Sequence, residues 1–310
     1  MSEKEAIVYE ENMELRERLE KEYDDNVFVK KQSPFYVVGK RLLRNKVAMG
    51  GLVCIILLIL LAIAAPLIAP FGYEEQNLFN ILQPPSTEHI MGTDNLGRDV
   101  FSRLLHGGRI SLRIGMLAVV VGTGLGAPIG AIAGFYGGKI DLILMRLIDV
   151  IQAIPPILLA IAVAAALGPG IDNAIFALGI STSALYARIM RSSVLSVRGM
   201  EYIEAAVAIN AKDRRIILKH VIPNAISPLI VQMTMGVAQA ILVAATLSFL
   251  GLGAQPPLPE WGAMLAAGRA FIRDSWHLVW FPGLAIMIAV LSLNMLGDGL
   301  RDALDPRLKS

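Results

Sequence analysis

Six long stretches of the sequence contain no charged residue, and this feature constrains the fold more than any other. All 28 Lys and Arg and all 26 Asp and Glu lie outside them. A charge at the centre of a bilayer costs about 2.5 to 3.5 kcal/mol, so chains keep charges out of their spans. The pattern predicts an all-α membrane protein with six transmembrane helices. The stretches are residues 47–69, 114–136, 150–168, 173–187, 225–248 and 279–297.

Composition supports this class and excludes others. The 310 residues are 55% hydrophobic and 17% charged, which is too apolar for an ordinary soluble domain or a disordered chain. A net charge of +2 gives no reason to expect a nucleic-acid partner. The single cysteine, Cys54, excludes an intrachain disulfide and a cysteine metal cluster.

The individual spans differ in length. The first has 23 residues, which as a helix is about 34 Å long and crosses a hydrocarbon core of about 30 Å. A cleaved signal peptide is the rival interpretation of this span, but 46 residues precede it and its apolar run is too long. The short stretch 173–187 is expected to reach the interface with Arg188 snorkelling.

The distribution of Lys and Arg predicts the orientation. Counted on alternate sides of the spans, 22 lie on one side and six on the other. The positive-inside rule then places both termini in the cytoplasm. The loops 70–113, 169–172 and 249–278 are expected outside.

Features within the spans indicate a packed bundle with a pathway. Small residues at four-residue spacing favour close helix packing, and prolines favour kinks or openings. Asp149 is expected to form a helix-surface ion pair with Arg146. The glycines are Gly122, Gly126, Gly130 and Gly134, the prolines Pro128, Pro155, Pro156 and Pro228, and the polar pathway candidates Gln152, Gln232, Gln239 and Asn294.

The common catalytic motifs are not present in the sequence. Gly137-Gly138-Lys139 lacks the first glycine and the final Ser or Thr of a phosphate loop, and neither H-E-x-x-H nor G-x-S-x-G occurs. We therefore expect no catalytic, metal-binding or cofactor-binding residue in this chain. Nucleotide-driven transport would require another subunit to bind the nucleotide.

The predicted cytoplasmic segment 188–224 is too long for a simple connector. Residues 201–209 favour a short helix, 210–213 a turn, and 214–220 a second helix that Pro223 ends. A short helix with alanines and a charged rim is typical of a segment that docks into a groove of a soluble partner. An amphipathic hairpin at the lipid surface satisfies the same physics, and these arguments do not separate the two.

The same segment resembles the Glu-Ala-Ala loop of ABC importer permeases. Glu204-Ala205-Ala206 matches the motif and Ile222-Pro223 its closing region, whereas Asn210 stands at the family's glycine. Asn tolerates a left-handed backbone better than most residues. The resemblance implies coupling to an ATPase through Tyr202, Glu204, Ala205, Ala206, Ala208, Asn210, Ala211, Asp213 and Arg214.

From about Ser33 the chain resembles the second, shorter permease of the dipeptide, oligopeptide and nickel importers. The sequence departs from the family pattern at Ala244, where Glu is usual, and at Glu260, where Ser is usual. The matching stretches are H-I-M-G-T-D-N-L-G-R-D at 89–99, L-S-F-L-G-L-G at 247–253, P-P at 256–257 with W-G at 261–262, and G-D-G-L-R-D-A-L-D-P-R at 297–307.

The resemblance implies a type I importer bundle in a bacterial or archaeal plasma membrane. Its partners would be a homologous second permease, two ATPase subunits that carry ATP and Mg²⁺, and an extracytoplasmic solute-binding protein. Di- or oligopeptides are the expected cargo, with nickel or another small solute as the alternative. A secondary carrier or channel shares the six-span pattern, and an embedded enzyme fits least.

The expected organisation has four parts. An acidic cytoplasmic tail, predicted helical and solvated, covers 1–32, with a regulatory contact to the ATPases as the minority hypothesis. Residues 33–69 hold a juxtamembrane segment and the first span, and 70–113 form an extracytoplasmic loop. Residues 114–310 form the permease core with its coupling loop 188–224.

Overall fold

A computed structural model describes residues 34–304, and in this part of the chain the secondary structure is helical apart from one isolated bridge between Thr93 and Asp99. The all-α prediction is therefore confirmed. The predicted tail at 1–32 lies outside the described residues. The helices are α1 (Pro34–Arg44), α2 (Lys46–Ile68), α3 (Val100–Tyr136), α4 (Gly138–Gln152), α5 (Pro156–Leu167), α6 (Ile171–Arg198), α7 (Glu201–Ala208), α8 (Asp213–Ile216), a π-helical turn (Ile217–Val221), α9 (Ile222–Ala225), α10 (Ser227–Phe249), α11 (Trp261–Gly268), a 3₁₀ turn (Arg269–Phe271) and α12 (His277–Leu304).

Among residues 34–304, four helices are long and apolar enough to cross a membrane, namely α2, α3, α10 and α12. Helices α4 and α5 meet at an 82° bend and together qualify as a fifth, broken span. The break follows the predicted Pro155-Pro156 kink. Helix α5 has 12 residues, about 18 Å, and is too short to cross the core alone. The count of six spans stays a prediction.

Helix α6 is longer than its apolar stretch indicates. It runs for 28 residues and buries much of its surface against α3, so it does not need a wholly apolar face. The α3 glycines make this contact: a Cβ on Gly126 would overlap the carbonyl oxygen of Ser183, and one on Gly130 that of Ala187. The prediction that the glycine series packs in the bundle interior is confirmed.

Helix α3 begins earlier than the charge-free stretch indicates. Asp99 caps it, with its Oδ2 accepting the Ser102 backbone N–H at 2.7 Å. Residues 100–113 of the predicted loop 70–113 are therefore helical. Charge-free length marks only the part of a helix that avoids polar surroundings, whereas the cap marks its end.

The segment predicted to be cytoplasmic folds, after the end of α6, as a helix, a turn and a second, irregular helix. Helix α7 agrees with the predicted 201–209 helix. The second helix differs from expectation, because it starts at Asp213 and passes through the π-helical turn into α9 without stopping at Pro223. Val221 and Ile222 keep helical backbone angles, so Pro223 lies within a continuous helix directly after its π-helical turn.

Candidate functional site

Helix α7 presents one face to the protein and the other to solvent. Ile203 and Ala206 are 2% and 8% exposed and pack in an apolar cluster with Val194, Val197 and Ile216. This cluster joins α7 to the C-terminal end of α6 and to α8. The inner face of α7 is therefore held against α6 and α8 by closely packed buried side chains.

The turn after α7 is a Schellman motif with asparagine at the left-handed position. Asn210 has a φ of 54°; its N–H donates to Val207 O at 2.9 Å, and Ala211 N–H donates to Ala206 O at 3.2 Å. Asparagine adopts this conformation with less strain than most residues. The departure from glycine thus leaves the helix end intact.

The structure divides the nine predicted coupling residues into two groups. Ala206 is buried and Ala211 is half-buried, so both belong to the support of α7 and not to its outer surface. Seven are exposed: Tyr202, Glu204, Ala205, Ala208, Asn210, Asp213 and Arg214.

Two exposed apolar residues of this surface were missed by the sequence reasoning. Val207 is 57% exposed and Ile209 is 79% exposed. The sequence does contain a signal for them, because both are β-branched residues in a segment that charged residues flank on both sides. Large apolar residues in a polar surface are typical of a contact with another protein.

An open groove of about 750 Å³ lies beside α7. Glu204, Ala208 and Asp213 line it together with Tyr136 at the end of α3 and Arg198 at the end of α6. Three of the predicted coupling residues therefore share one concave surface with the ends of α3 and α6. A partner seated there would contact all three elements.

Two ion pairs connect α4 to α6, one half-buried and one exposed. Asp141 accepts two hydrogen bonds from Arg191, at 2.5 and 2.6 Å, in a bidentate arrangement. Asp149 lies 4.0 Å from Arg146, as predicted, but its shorter bond of 2.7 Å is to Arg188 of α6. Asp149 therefore connects two helices.

The four polar pathway candidates are not brought together. Gln152 is exposed at the end of α4, while Gln232 and Gln239 lie two turns apart on α10. Asn294 is half-buried on α12. Among the described residues none of the four side chains has a hydrogen-bond partner within the chain. Gln232 lines a cavity of about 480 Å³, which it shares with Arg301.

On the opposite side, the residues of the 89–103 motif hold one another. Asp94 accepts a bond from Arg98 Nε at 2.7 Å and lies 3.6 Å from Arg103 Nε. Arg103 also donates to the carbonyl oxygens of Tyr73, at 2.8 Å, and Pro257, at 3.3 Å. All three charged side chains are buried. This cluster joins the 70–99 and 253–260 loops to the start of α3.

Two buried histidines make further contacts in this cluster between the loops and α3. His89 Nδ1 lies 3.0 Å from Asp99 Oδ1, and His277 Nε2 donates to Thr93 O at 3.2 Å. Both rings are at most 5% exposed. The polar groups of the motif therefore build the loop and its attachment to α12, which explains their spacing without any ligand.

Glu260 has a clear structural role. Its side chain is buried and caps α11, accepting Gly262 N–H at 2.9 Å and Ala263 N–H at 2.8 Å. The Ser111 hydroxyl donates to Glu260 Oε1 at 3.0 Å and accepts Trp261 N–H at 3.2 Å. The carboxylate therefore attaches α11 to α3.

The second departure from the family pattern is Ala244. Ala244 is buried in an apolar cluster with Ile114 and Leu247, where nothing compensates a charge. Within residues 34–304 no group of three or more His, Cys, Asp or Glu is placed to hold a metal ion.

Comparisons with known proteins give the family. Residues 126–310 match the family described as "Binding-protein-dependent transport system inner membrane component", and residues 33–85 match "N-terminal TM domain of oligopeptide transport permease C". The chain belongs to the ABC importer permeases of the dipeptide, oligopeptide and nickel branch. It is a multi-pass protein of the inner membrane and a transport subunit, and the family is not enzymatic.

Curated relatives cover nearly the whole chain. The dipeptide transport system permease protein DppC of Alkalihalophilus pseudofirmus is 50% identical over 278 residues, covering 90% of this chain and 91% of that protein. The di/tripeptide permease DppC of Pseudomonas aeruginosa is 43% identical, covering 90% and 94%. The glutathione permease GsiD of Escherichia coli O6:K15:H31 is 47% identical, covering 90% and 92%.

A solved structure supports the fold. The permease chain of the MetNI methionine ABC transporter in an inward-facing conformation superposes with a TM-score of 0.55 at 19% identity. The match covers 66% of this chain and 98% of that chain. At this identity the likeness concerns the bundle alone.

Proposed function

We propose that this permease imports di- or oligopeptides and receives its driving force from ATPase subunits that dock on α7. The observation that carries the coupling proposal is the solvent-facing surface of α7, held on a buried apolar cluster and closed by the Schellman turn at Asn210. A helix fixed in this way moves as one body with α6. The peptide cargo is supported by the relatives named for dipeptide and di/tripeptide transport.

The proposed assembly has four kinds of subunit. A homologous second permease would complete the pathway, two ATPases would bind ATP and Mg²⁺, and a solute-binding protein would deliver the cargo to the predicted extracytoplasmic loops. This chain would bind no cofactor. ATP-driven closure of the ATPases would then favour one orientation of the permease bundle by rigid-body gating.

The coupling part is tested by a double variant on the exposed face of α7. Glu204→Arg combined with Ala205→Trp reverses a charge and adds bulk without touching the buried Ile203. We expect the ATPases to dissociate during purification and uptake to be lost, while the permease still inserts. The matched control, Glu88→Arg with Thr87→Trp, changes two exposed residues of the opposite loop and is expected to keep the ATPases bound. Retention of the ATPases by the α7 variant would contradict the docking assignment.

The cargo part is tested separately by reconstitution. The wild-type complex in proteoliposomes, with its solute-binding protein and internal ATP, is offered radiolabelled dipeptide, tripeptide, glutathione and Ni²⁺. ATP-dependent uptake of a peptide is the expected result. Uptake of Ni²⁺ without any peptide would overturn the peptide proposal and leave the coupling proposal standing.

A further inference from the structure

An apolar groove of about 470 Å³ lies where α12 begins, between this helix and the segment that leads from α11. Leu265 and Ile272 form one wall, and residues of α12 form the other. The lining is almost wholly carbon. Its volume falls in the range of pockets that hold a small ligand, roughly 300 to 1,000 Å³. We propose that this groove binds one acyl chain of an anionic phospholipid, whose phosphate contacts Arg273.

The depth of the groove matches half of a bilayer. The α12 residues that line it form a single stripe, with Val279 near the outer end and Met287 at the inner end. Eight residues of helix span about 12 Å, slightly less than half of a hydrocarbon core of about 30 Å. The groove therefore reaches as far as one leaflet.

Two tryptophans mark the level of the membrane interface at this place. Trp276 and Trp280 line the groove and are 54% and 57% exposed. Tryptophan is enriched at the level of lipid headgroups because its ring is apolar and its N–H is polar. Trp276 is held in position by Phe281, at a ring distance of 5.9 Å, and by His277, at 6.2 Å. The groove wall is thus formed before a ligand arrives.

The charges at the outer rim favour an anion. Arg273 directly follows the lining residue Ile272, is exposed, and forms no ion pair with the described residues. Arg269 stacks over the ring of Phe249, with its Cζ 4.5 Å from the centroid. Asp274 is the acidic residue beside them, so the rim retains one net positive charge. A phosphate oxygen would supply a charge-assisted partner for the guanidinium group.

The chemistry of the lining favours a lipid over a protein as the occupant. Helix interfaces within a membrane are enriched in Gly, Ala, Ser and Thr, which let backbones approach closely, whereas large apolar side chains form most of the lining of this groove. This groove presents carbon along its length and polar groups at the outer rim, which is the arrangement of a phospholipid. Gly283 leaves its floor open, since a Cβ built there meets only Leu265 Cδ1, at 3.9 Å.

The open floor allows a direct test. A Cβ at Gly283 requires no neighbour to move, and Gly283→Leu is designed to place its further side-chain carbons in the groove. Gly124→Leu is the matched control, because Gly124 is exposed on α3 and a Cβ there meets no atom within 4 Å. The full importer complex is reconstituted in vesicles that contain phosphatidylglycerol with a photoreactive diazirine in one acyl chain. After illumination, labelled peptides are mapped and quantified by mass spectrometry.

We expect wild-type protein and Gly124→Leu to be labelled at Leu265, Leu284 or Met287, and Gly283→Leu to lose at least about tenfold of this labelling. Arg273→Gln should lower labelling by phosphatidylglycerol and leave labelling by a phosphatidylethanolamine probe unchanged. Equal labelling of Gly283→Leu and wild type would overturn the proposal. Loss of the second permease from the Gly283→Leu complex would also overturn it, because the groove would then be a protein interface. If a variant fails to fold, the labelled positions mapped in the wild-type protein still test whether the acyl chain lies in the groove.

Discussion

The close contact between α3 and α6 gives a prediction that rests on backbone geometry alone. Gly130→Ala adds a methyl group that would overlap the carbonyl oxygen of Ala187 and lie 2.9 Å from both the Ala187 carbonyl carbon and the Arg191 nitrogen. Real Cβ atoms essentially never come within 3.0 Å of such neighbours. The obstructing atoms belong to backbone, so no side chain can rotate away and the two helices must separate.

The expected cost follows from this obstruction. Overpacking usually destabilises a protein by about 1 to 3 kcal/mol, and the rigid neighbours place Gly130→Ala near the upper end. The higher helix propensity of alanine returns about 1 kcal/mol, for a net loss of about 1 to 2 kcal/mol. Thermal unfolding of the purified protein in detergent should then show a Tm lower by about 2 to 8 °C.

The matched control is Gly124→Ala on the same helix. Nothing lies within 4 Å of a Cβ at this position, so only the gain in helix propensity remains and Tm should stay level or rise. The reasoning is refuted if Gly130→Ala and Gly124→Ala unfold at the same temperature. Such a result would mean that α3 and α6 are not in backbone contact.

Three further pairs of variants test other contacts in the structure. Asn210→Gly should keep both stability and ATPase coupling. Asn210→Val should cost about 1 to 2 kcal/mol in thermal unfolding, because the φ of 54° is strained for a β-branched residue. Equal stability of the two variants would exclude the left-handed turn. Glu260→Ala should cost about 1 to 3 kcal/mol, because it removes the α11 cap. Glu260→Gln should cost clearly less, because one acceptor oxygen remains. Equal losses of stability in the two variants would contradict the capping role. Arg191→Gln breaks the bidentate pair with Asp141 and should cost about 1 to 3 kcal/mol. Arg146 is exposed and its guanidinium group lies 4.0 Å from the Asp149 carboxylate, so Arg146→Gln should cost under about 0.5 kcal/mol. The reverse order of the two losses would show that Arg191 does not hold α4.

The sequence predicted the elements whose physics is local. Helix α2 was expected at 47–69 and is found at Lys46–Ile68, because apolar length decides its existence. The break before α5 follows from Pro155-Pro156, and α7 follows from a short helical composition ahead of a turn-forming asparagine. The extra turns of α3 were missed, because the cap at Asp99 lies far from the apolar stretch used to place the helix.

In the candidate site, too, the sequence predicts the residues but not their packing. The motif predicts Glu204 and Ala205 as coupling residues, and both are exposed, but the motif does not say which face of α7 is inward. Ala206 is buried because Ile203 and Ala206 are three residues apart and share the side that meets α6 and α8. The exposure of Val207 and Ile209 follows from the same rotation of the helix.

By itself, the sequence determined that this is a helical membrane protein of the importer permease family, because charge-free length and ordered motifs are properties of the chain. Only the tertiary structure decided which groups meet. Asp149 pairs most closely with Arg188, 39 residues away, and Glu260 joins Ser111 of α3. The open floor at Gly283 likewise depends on where α12 lies against the segment from α11. Such contacts depend on how helices pack, and residues distant in sequence become neighbours only after packing.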